Sequence, residues 1–332
     1  MRAQSRTACY ALVKNARARA LAKTVEIFAG IRGEAMRHQP YSFHPLNDRR
    51  PKSMQGVCVI ERAADRCVYL LFERLSQDPR LLHGVFTRAG GYSAPPFDGL
   101  NVALTTGDDP AAARRNQRVI AGELGLPLIS ARIAHGADYC VIERASPGEP
   151  DEALRARVRA TVADAMITAE TGIGLFWGFG DCAPILLYDP RQRVIALAHG
   201  GWRGAAGAIG PRTIDAMRER FGSRPEELIA GVGPAIQSCC YQVNDAVYDA
   251  FQRDPRARDN AVFAQRADEH DVTALYLDVT ESNARQLLAA GVRADHLDVA
   301  PYCTGCAADL FYSHRKRPQA DGRFGVVIGL AA

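Results

Sequence analysis

Between Ala163 and Gly204 the chain alternates short apolar runs with tight polar turns, and this alternation constrains the fold more than any other stretch. The runs Leu175–Phe179, Ile185–Leu187 and Val194–Ala198 are too short for helices and are separated by residues that turn the chain. Such runs read as strands buried in a core. The same stretch cannot cross a bilayer as a helix. Its longest apolar segment, Ala163 to Tyr188, is interrupted by Asp164, Glu170 and Asp181, whereas a spanning helix needs about 18 uncharged apolar residues.

Further strands are expected at Val57–Ile60, Val68–Phe72, Ile133–Ile142 and Phe324–Ile328. Helices carry clear start signals. Asp108-Asp109-Pro110 opens one that runs through Leu124, with a capping carboxylate and a proline in the first turn. Asn244 caps a second, with Val247, Tyr248 and Phe251 on one face, and Thr280 starts a third that ends at Gly291. Strands and helices are interleaved without strict alternation, which predicts an α+β fold: a mixed-sheet sandwich flanked by helices. No repeat or Pro/Ser/Gly linker splits residues 54–330, so residues 54–332 are expected to form a single catalytic domain.

The net charge of +4 hides an asymmetry. Residues 1–53 hold 11 Lys or Arg against 3 acidic residues, so the remainder of the chain is mildly acidic. That distribution does not suit a nucleic-acid binder, whose cations should be mounted on the folded face. The segment is Arg- and Ala-rich and lacks the apolar core of a secretory signal. It is read as a basic N-terminal extension, disordered or a misassigned start, ahead of a transit peptide or an amphipathic arm. Nine cysteines without regular spacing point to reduced thiols and a cytoplasmic protein.

Three turns bear metal-type side chains. They are Ala134-His135-Gly136, Gly180-Asp181-Cys182-Ala183-Pro184 and His199-Gly200-Gly201-Trp202-Arg203-Gly204. Imidazole and thiolate are preferred zinc donors, and a catalytic site uses three protein ligands plus an open position. Strand ends can hold such a triad rigidly. Taken alone, His135 reads as a hydrogen-bonded structural residue and Cys182 as a small buried hydrophobe. The glycine-rich turn around Trp202 and Arg203 leaves amides free beside a cation, as an anion pocket needs. Arg88, in Thr87-Arg88-Ala89-Gly90-Gly91-Tyr92-Ser93, and the later Asn101 form a fourth element that suits an oxyanion or a polar hairpin turn. Cys303-Thr304-Gly305-Cys306 is a lone CxxC, read more readily as a redox dithiol than as half of a structural zinc site. The adjacent Cys239-Cys240 is not expected to complete a four-ligand set with it.

In order along the chain, these segments resemble the polyphenol-oxidase-like or laccase-domain (YfiH-like) family. The match adds Leu100-Asn101-Val102, Ala163-Asp164-Ala165, Gly233-Pro234-Ala235-Ile236, Cys239-Cys240-Tyr241, Phe311-Tyr312-Ser313-His314-Arg315 and Gly322-Arg323. The resemblance implies zinc held by His135, Cys182 and His199, the same three residues that the turns suggest. It implies phosphorolysis of adenosine, inosine, guanosine or 5′-methylthioadenosine, with adenosine deamination as a side activity. It also implies an α+β sandwich of mixed sheets. Ile133-Ala134, Gly180 and Gly200 replace the family's usual neighbours of the three donors, changes that bear on substrate preference.

On this reading Cys182, His199 and Asp181 are the catalytic residues, with Asp181 as orienter or proton acceptor. Arg88, Asn101 and Arg203 are expected to contact substrate. The partners are a small-molecule nucleoside and phosphate, with neither nucleic acid nor membrane, acting on a monomer or homodimer. One rival is a cysteine hydrolase acting on a cell-wall peptide amide, with Cys182 as nucleophile and His199 as base. Another is a copper polyphenol oxidase, disfavoured because none of the eight histidines forms a His-x-His pair. A non-catalytic purine-binding module is the third.

Overall fold

The computed structural model describes residues 57–61, 67–267 and 273–332. The basic extension expected over residues 1–53, and its boundary at Met54, lie outside the described residues. Two six-stranded mixed sheets stack face to face. The first runs in the order Val57–Glu61, Val68–Phe72, Leu81–Phe86, Phe324–Leu330, Ile173–Phe179, Leu128–Ile129. The second runs Leu297–Val299, Ile229–Val232, Ala183–Asp189, Val194–Gly200, Ala165–Thr168, Tyr139–Val141. Each is antiparallel except at parallel edge pairs. A small antiparallel sheet of Gln242–Val243, Thr273–Leu277 and Phe263–Ala267 completes the set.

Side-chain alternation explains the layering. Leu175, Trp177 and Phe179 point from the first sheet into the space between the sheets, with Phe324, Val326 and Ile328. There they meet Leu186, Tyr188, Ile195 and Leu197 of the second sheet. The opposite face of the second sheet, with Ile185, Leu187, Ala196 and Ala198, packs on helices Trp202–Ala206, Ile209–Phe221 and Val279–Ala289. The outer face of the first sheet, with Phe176 and Val327, packs on Ile120 of helix Pro110–Leu124. A Cβ at Gly325 would lie 2.5 Å from the tip of Ile120, so this glycine sets how closely that helix approaches. The result is the expected mixed-sheet sandwich flanked by helices, in one unit. Ala183–Asp189 and Val194–Gly200 are buried at all seven positions each. Strands covered on both faces read as continuous apolar runs rather than as polar alternation.

Helix Pro110–Leu124 starts as expected, with the Asp109 carboxylate accepting the Ala111 N–H, and ends on left-handed Gly125. Three expectations are corrected. The third helix, Val279–Ala289, is capped by Asp278, whose carboxylate accepts the Glu281 N–H, so it begins before Thr280. Tyr248 does not share the buried face of Val247 and Phe251 but sits exposed against Phe263. The strand expected over Ile133–Ile142 is reduced to Tyr139–Val141, because residues 134–136 are drawn out of the ladder. Among the described residues no helix is long and apolar enough to cross a membrane.

Candidate active site and metal donors

The three turns converge on a cavity of about 420 Å³. His135, Asp181, Cys182, His199, Trp202, Arg203, Tyr241, His314, Arg315 and Arg323 line it. The antiparallel pairing that sets Pro184 opposite His199 and Ala183 opposite Gly200 brings the Cys182 and His199 turns side by side.

Each donor is held by backbone geometry. His135 takes a left-handed conformation at φ 61°, costly for a residue with a side chain unless its surroundings impose it. Asp164 imposes it. Its Oδ1 accepts the N–H groups of Ala134 at 3.2 Å and His135 at 2.7 Å, and its Oδ2 accepts that of Gly136 at 2.9 Å. The Asp164 carbonyl also accepts the His199 N–H at 2.7 Å, so one buried residue places both imidazoles. Their rings meet edge to face with centroids 5.1 Å apart, and His199 also stacks on Phe179 at 5.5 Å. Asn283 secures the same turn by donating from Nδ2 to the Gly200 carbonyl at 2.9 Å.

Cys182 follows Asp181, itself left-handed at φ 77°. The Asp181 carboxylate accepts the Thr304 hydroxyl at 2.6 Å and the Arg315 N–H at 2.7 Å, and its carbonyl accepts the Ile236 N–H at 2.8 Å. With both oxygens engaged, Asp181 acts as an anchor for the cavity wall. A Cβ at Gly201 would lie 2.8 Å from Cys182 Sγ and 3.3 Å from His199 Cε1. The glycine therefore keeps open the space that these two donors share.

Burial, reinforced by the Asp181 charge, pushes the Cys182 thiol up to about 12. Burial and the neighbouring His135 push His199 down to about 3. Loss of hydration penalises the charged form of each group, so both stay neutral at pH 7. The Cys182 sulfur forms no hydrogen bond to either imidazole among the described residues. Two imidazoles and one thiol, His199 and Cys182 on neighbouring strand ends and His135 on the loop held by Asp164, surround a cleared space and match the donor chemistry of zinc. His135, Cys182 and His199 are less tightly gathered than Cys239, Cys240, Cys303 and Cys306. Those four form the one group of three or more such donors, among the described residues, whose ligand atoms all lie within 4.8 Å of one another. The expectation that Cys239-Cys240 would not join the CxxC is thereby overturned: the Gln237–Tyr241 turn folds both sulfurs towards Cys306.

The cavity is cationic. Arg203 lies over the Trp202 ring at 4.2 Å and makes no ion pair among the described residues. Arg315 lies over Tyr241 at 4.8 Å and donates to the Gln242 carbonyl at 2.9 Å. Arg323 is paired with Asp321, which His314 also contacts at 3.1 Å.

Two residues expected to contact substrate do not line this cavity. Arg88 is buried, donating to the carbonyls of Ala308 and Asp98 at 3.0 and 3.1 Å and lying over Tyr312 at 4.6 Å. Asn101 is fully buried; its Nδ2 donates to Asp108 at 2.7 Å and its Oδ1 accepts the Arg323 N–H at 2.8 Å. Its link to the cavity runs through Arg323. Arg315, Arg323 and Tyr241 went unassigned from sequence, although they stand inside the segments that carry the resemblance. Asp164 likewise went unassigned, although it interrupts an apolar run and stands inside Ala163-Asp164-Ala165, another of those segments.

Comparison with known proteins agrees with this architecture. Purine nucleoside phosphorylase YlmD of Geobacillus stearothermophilus is 35% identical over 249 residues, covering 74% of this chain and 89% of that protein. Its crystal structure superposes with a TM-score of 0.69 over 80% of this chain and 96% of that one. The Bacillus licheniformis hypothetical protein YfiH gives the same TM-score at 30% identity, over 79% of this chain and 96% of that chain. An adenosine deaminase from an unknown prokaryotic organism is 29% identical over 233 residues, covering 68% of this chain and 85% of that protein. The sequence profile described as multi-copper polyphenol oxidoreductase laccase matches residues 82–331. With its motifs, its sandwich and most of its length in common with these proteins, the chain belongs to that laccase-domain family.

Proposed function

We propose that this protein is a zinc-dependent purine nucleoside phosphorylase with adenosine deamination as a side activity. One observation carries the reading: His135, Cys182 and His199 share a cavity with three arginines, Arg203, Arg315 and Arg323. The names of the similar phosphorylases and of the adenosine deaminase support it. A volume of about 420 Å³ lies within the roughly 300–1,000 Å³ of small-molecule sites. The absence of any His-x-His pair among the eight histidines favours zinc over a multicopper set.

Zinc held by His135, Cys182 and His199 would supply a Lewis acid facing the cavity. The chain's own residues supply the rest. Arg203 is the arginine freest to bind phosphate, with Arg315 and Arg323 beside it offering further guanidinium donors. In phosphorolysis a phosphate oxygen bonds to ribose C1′ while the bond from C1′ to the purine breaks, and the bonding pair leaves on the base. Guanidinium groups already in place limit the cost of reorganisation as that charge shifts. Asp181 positions Arg315, and Asn101 positions Arg323, through backbone hydrogen bonds. Arg88 holds the chain near Asp98 and Tyr312 rather than touching substrate. Trp202 and Tyr241 offer apolar surfaces for a purine. In deamination, water adds to the purine carbon bearing the amine and ammonia departs.

A cysteine nucleophile is less well supported. Such a thiol is activated by a hydrogen-bonded base or a lowered pKa, and Cys182 has neither. No disulfide joins Cys140, Cys182 or the cysteines of the four-sulfur group, which suits a reducing, cytoplasmic compartment.

The test is a product assay with adenosine, with and without phosphate, on wild type and Cys182→Ala. The expected result is adenine and ribose 1-phosphate only when phosphate is present, lost in the variant together with one zinc. Inosine formed without phosphate would make deamination the main activity. No turnover of adenosine, inosine, guanosine or 5′-methylthioadenosine by zinc-loaded protein would overturn the reading.

A further inference from the structure

Behind the cavity-lining residues Ile236 and Tyr241, two loops bring four sulfurs together. We propose that Cys239, Cys240, Cys303 and Cys306 form a second metal site, a four-thiolate tetrahedral centre for zinc, distinct from the His135, Cys182 and His199 donors. All four ligand atoms lie within 4.8 Å of one another, and Cys306 Sγ stands 3.4 Å from the sulfurs of both Cys239 and Cys240. Zinc–sulfur bonds of about 2.3 Å at tetrahedral angles place sulfurs about 3.8 Å apart. A disulfide requires about 2.0 Å. One sulfur equidistant from two others suits a shared ion better than a single bond to either.

The surroundings are built for sulfur ligands. The Gln237 N–H points at Cys303 Sγ at 3.4 Å, as amide donors do towards thiolates. Arg266 donates to the carbonyls of Ser238 and Cys239 at 2.9 Å each, fixing that turn and placing a cation beside a site whose four thiolates outweigh the metal charge. A Cβ at Gly305 would lie 2.8 Å from Cys240 Cβ and 3.0 Å from Cys240 Sγ. Only glycine between Cys303 and Cys306 lets the two loops close. A backbone bridge joins Ala235 to Cys303, and the Thr304 N–H donates to the Ala235 carbonyl at 3.1 Å. Cys303 is buried and Cys306 exposed, which leaves an entry path for the ion.

The role of such a centre follows from what the loops carry. Ile236 and Tyr241 flank Cys239-Cys240 and line the cavity, while Thr304, beside Cys303, donates to Asp181. A metal here staples two loops of the cavity wall, and it does so whether or not the cavity performs phosphorolysis.

The test uses the full chain, purified with reductant. In the Cys182→Ala protein, which lacks one cavity donor, one zinc per chain is expected to remain. It is expected to be lost in Cys182→Ala carrying Cys239→Ser and Cys306→Ser. Cobalt added to metal-free Cys182→Ala protein is expected to give intense sulfur-to-metal charge-transfer absorption that the double serine change abolishes. Thiol labelling of wild type provides a second reading that does not depend on the folding of the serine variants. All four cysteines are expected to resist labelling with zinc present and to react after chelation. Equal metal content with and without the serine changes, four thiols that label freely in zinc-loaded protein, or a disulfide between any two of them in the reduced preparation would overturn the proposal.

Discussion

The Asp164 carboxylate accepts the His135 N–H at 2.7 Å, and the carbonyl of the same residue accepts the His199 N–H at an equal distance. Replacing Asp164 by asparagine keeps the volume but turns one acceptor into a donor facing the N–H groups of residues 134–136. Hydrogen bonds to charged groups contribute about 1.5–3 kcal/mol each, and outer partners of metal ligands typically carry 10–100-fold in affinity. Asp164→Asn is therefore expected to weaken zinc binding at the cavity about 10–100-fold, measured by chelator competition, and to lower the denaturation midpoint. An unchanged zinc affinity would show that His135 is held by other contacts.

Gly201→Ala isolates the space shared by two donors. Gly201 sits at φ −66° and ψ 174°, a conformation open to alanine, so the backbone imposes no penalty. The added methyl would crowd Cys182 Sγ and His199 Cε1. Expected are loss of the cavity zinc and of turnover, with a melting temperature within a few degrees of wild type. Full activity would mean that the two donors do not act across that gap.

Arg203 has no carboxylate partner among the described residues, unlike Arg323, so its guanidinium is the better candidate for phosphate. Arg203→Met keeps the stem over Trp202 and removes the charge. Loss of a charged hydrogen bond of about 1.5–3 kcal/mol corresponds to a rise in KM for phosphate of roughly 10–100-fold, with stability nearly unchanged. Steady-state kinetics at varied phosphate distinguishes this from a fall in kcat alone.

His83 carries a pH prediction apart from the cavity. Its Nε2 accepts the Phe72 N–H at 2.9 Å, and burial pushes its pKa down from 6.5 to about 4. The unfolded chain binds the proton between those values and the folded chain does not, so unfolding gains protons there. The neutral imidazole's contribution is therefore fully present above about pH 6.5 and is lost as pH falls towards 4, a difference on the order of 3 kcal/mol. Denaturation of metal-free protein from pH 7 to 4.5 is expected to show this slope, and His83→Gln to flatten it. Identical slopes would remove His83 as the cause.

Much of the sandwich is legible in sequence because buried strands leave apolar runs bounded by turns: Val68–Phe72 is found at its expected limits, and Leu175–Phe179 lies within the longer Ile173–Phe179. Ile133–Ile142 misleads for a physical reason. Its composition suits a strand, but Asp164 lies some thirty residues away and takes three successive N–H groups from any ladder. Arg88 and Asn101 mislead because glycine, arginine and amide groups in a turn look alike whether they serve a ligand or the loop's own carbonyls. The four-sulfur group is hidden in sequence because its halves are more than sixty residues apart. Adjacent cysteines also look poorly placed to reach a common point until a turn reorients them.

The strands Ala183–Asp189 and Val194–Gly200 are buried at every position, and His199 at the end of the second is the one side chain of theirs that faces the cavity. Sequence drift in this scaffold is thereby divided between two regimes. A change within the strands is tested against foldability, and a change in the turns against selectivity. Gly180, in the turn before Asp181 and Cys182, belongs to the second regime: a Cβ there would stand 3.2 Å from the Arg323 side chain, so new substrate preferences can be sampled at that position without entering the strands.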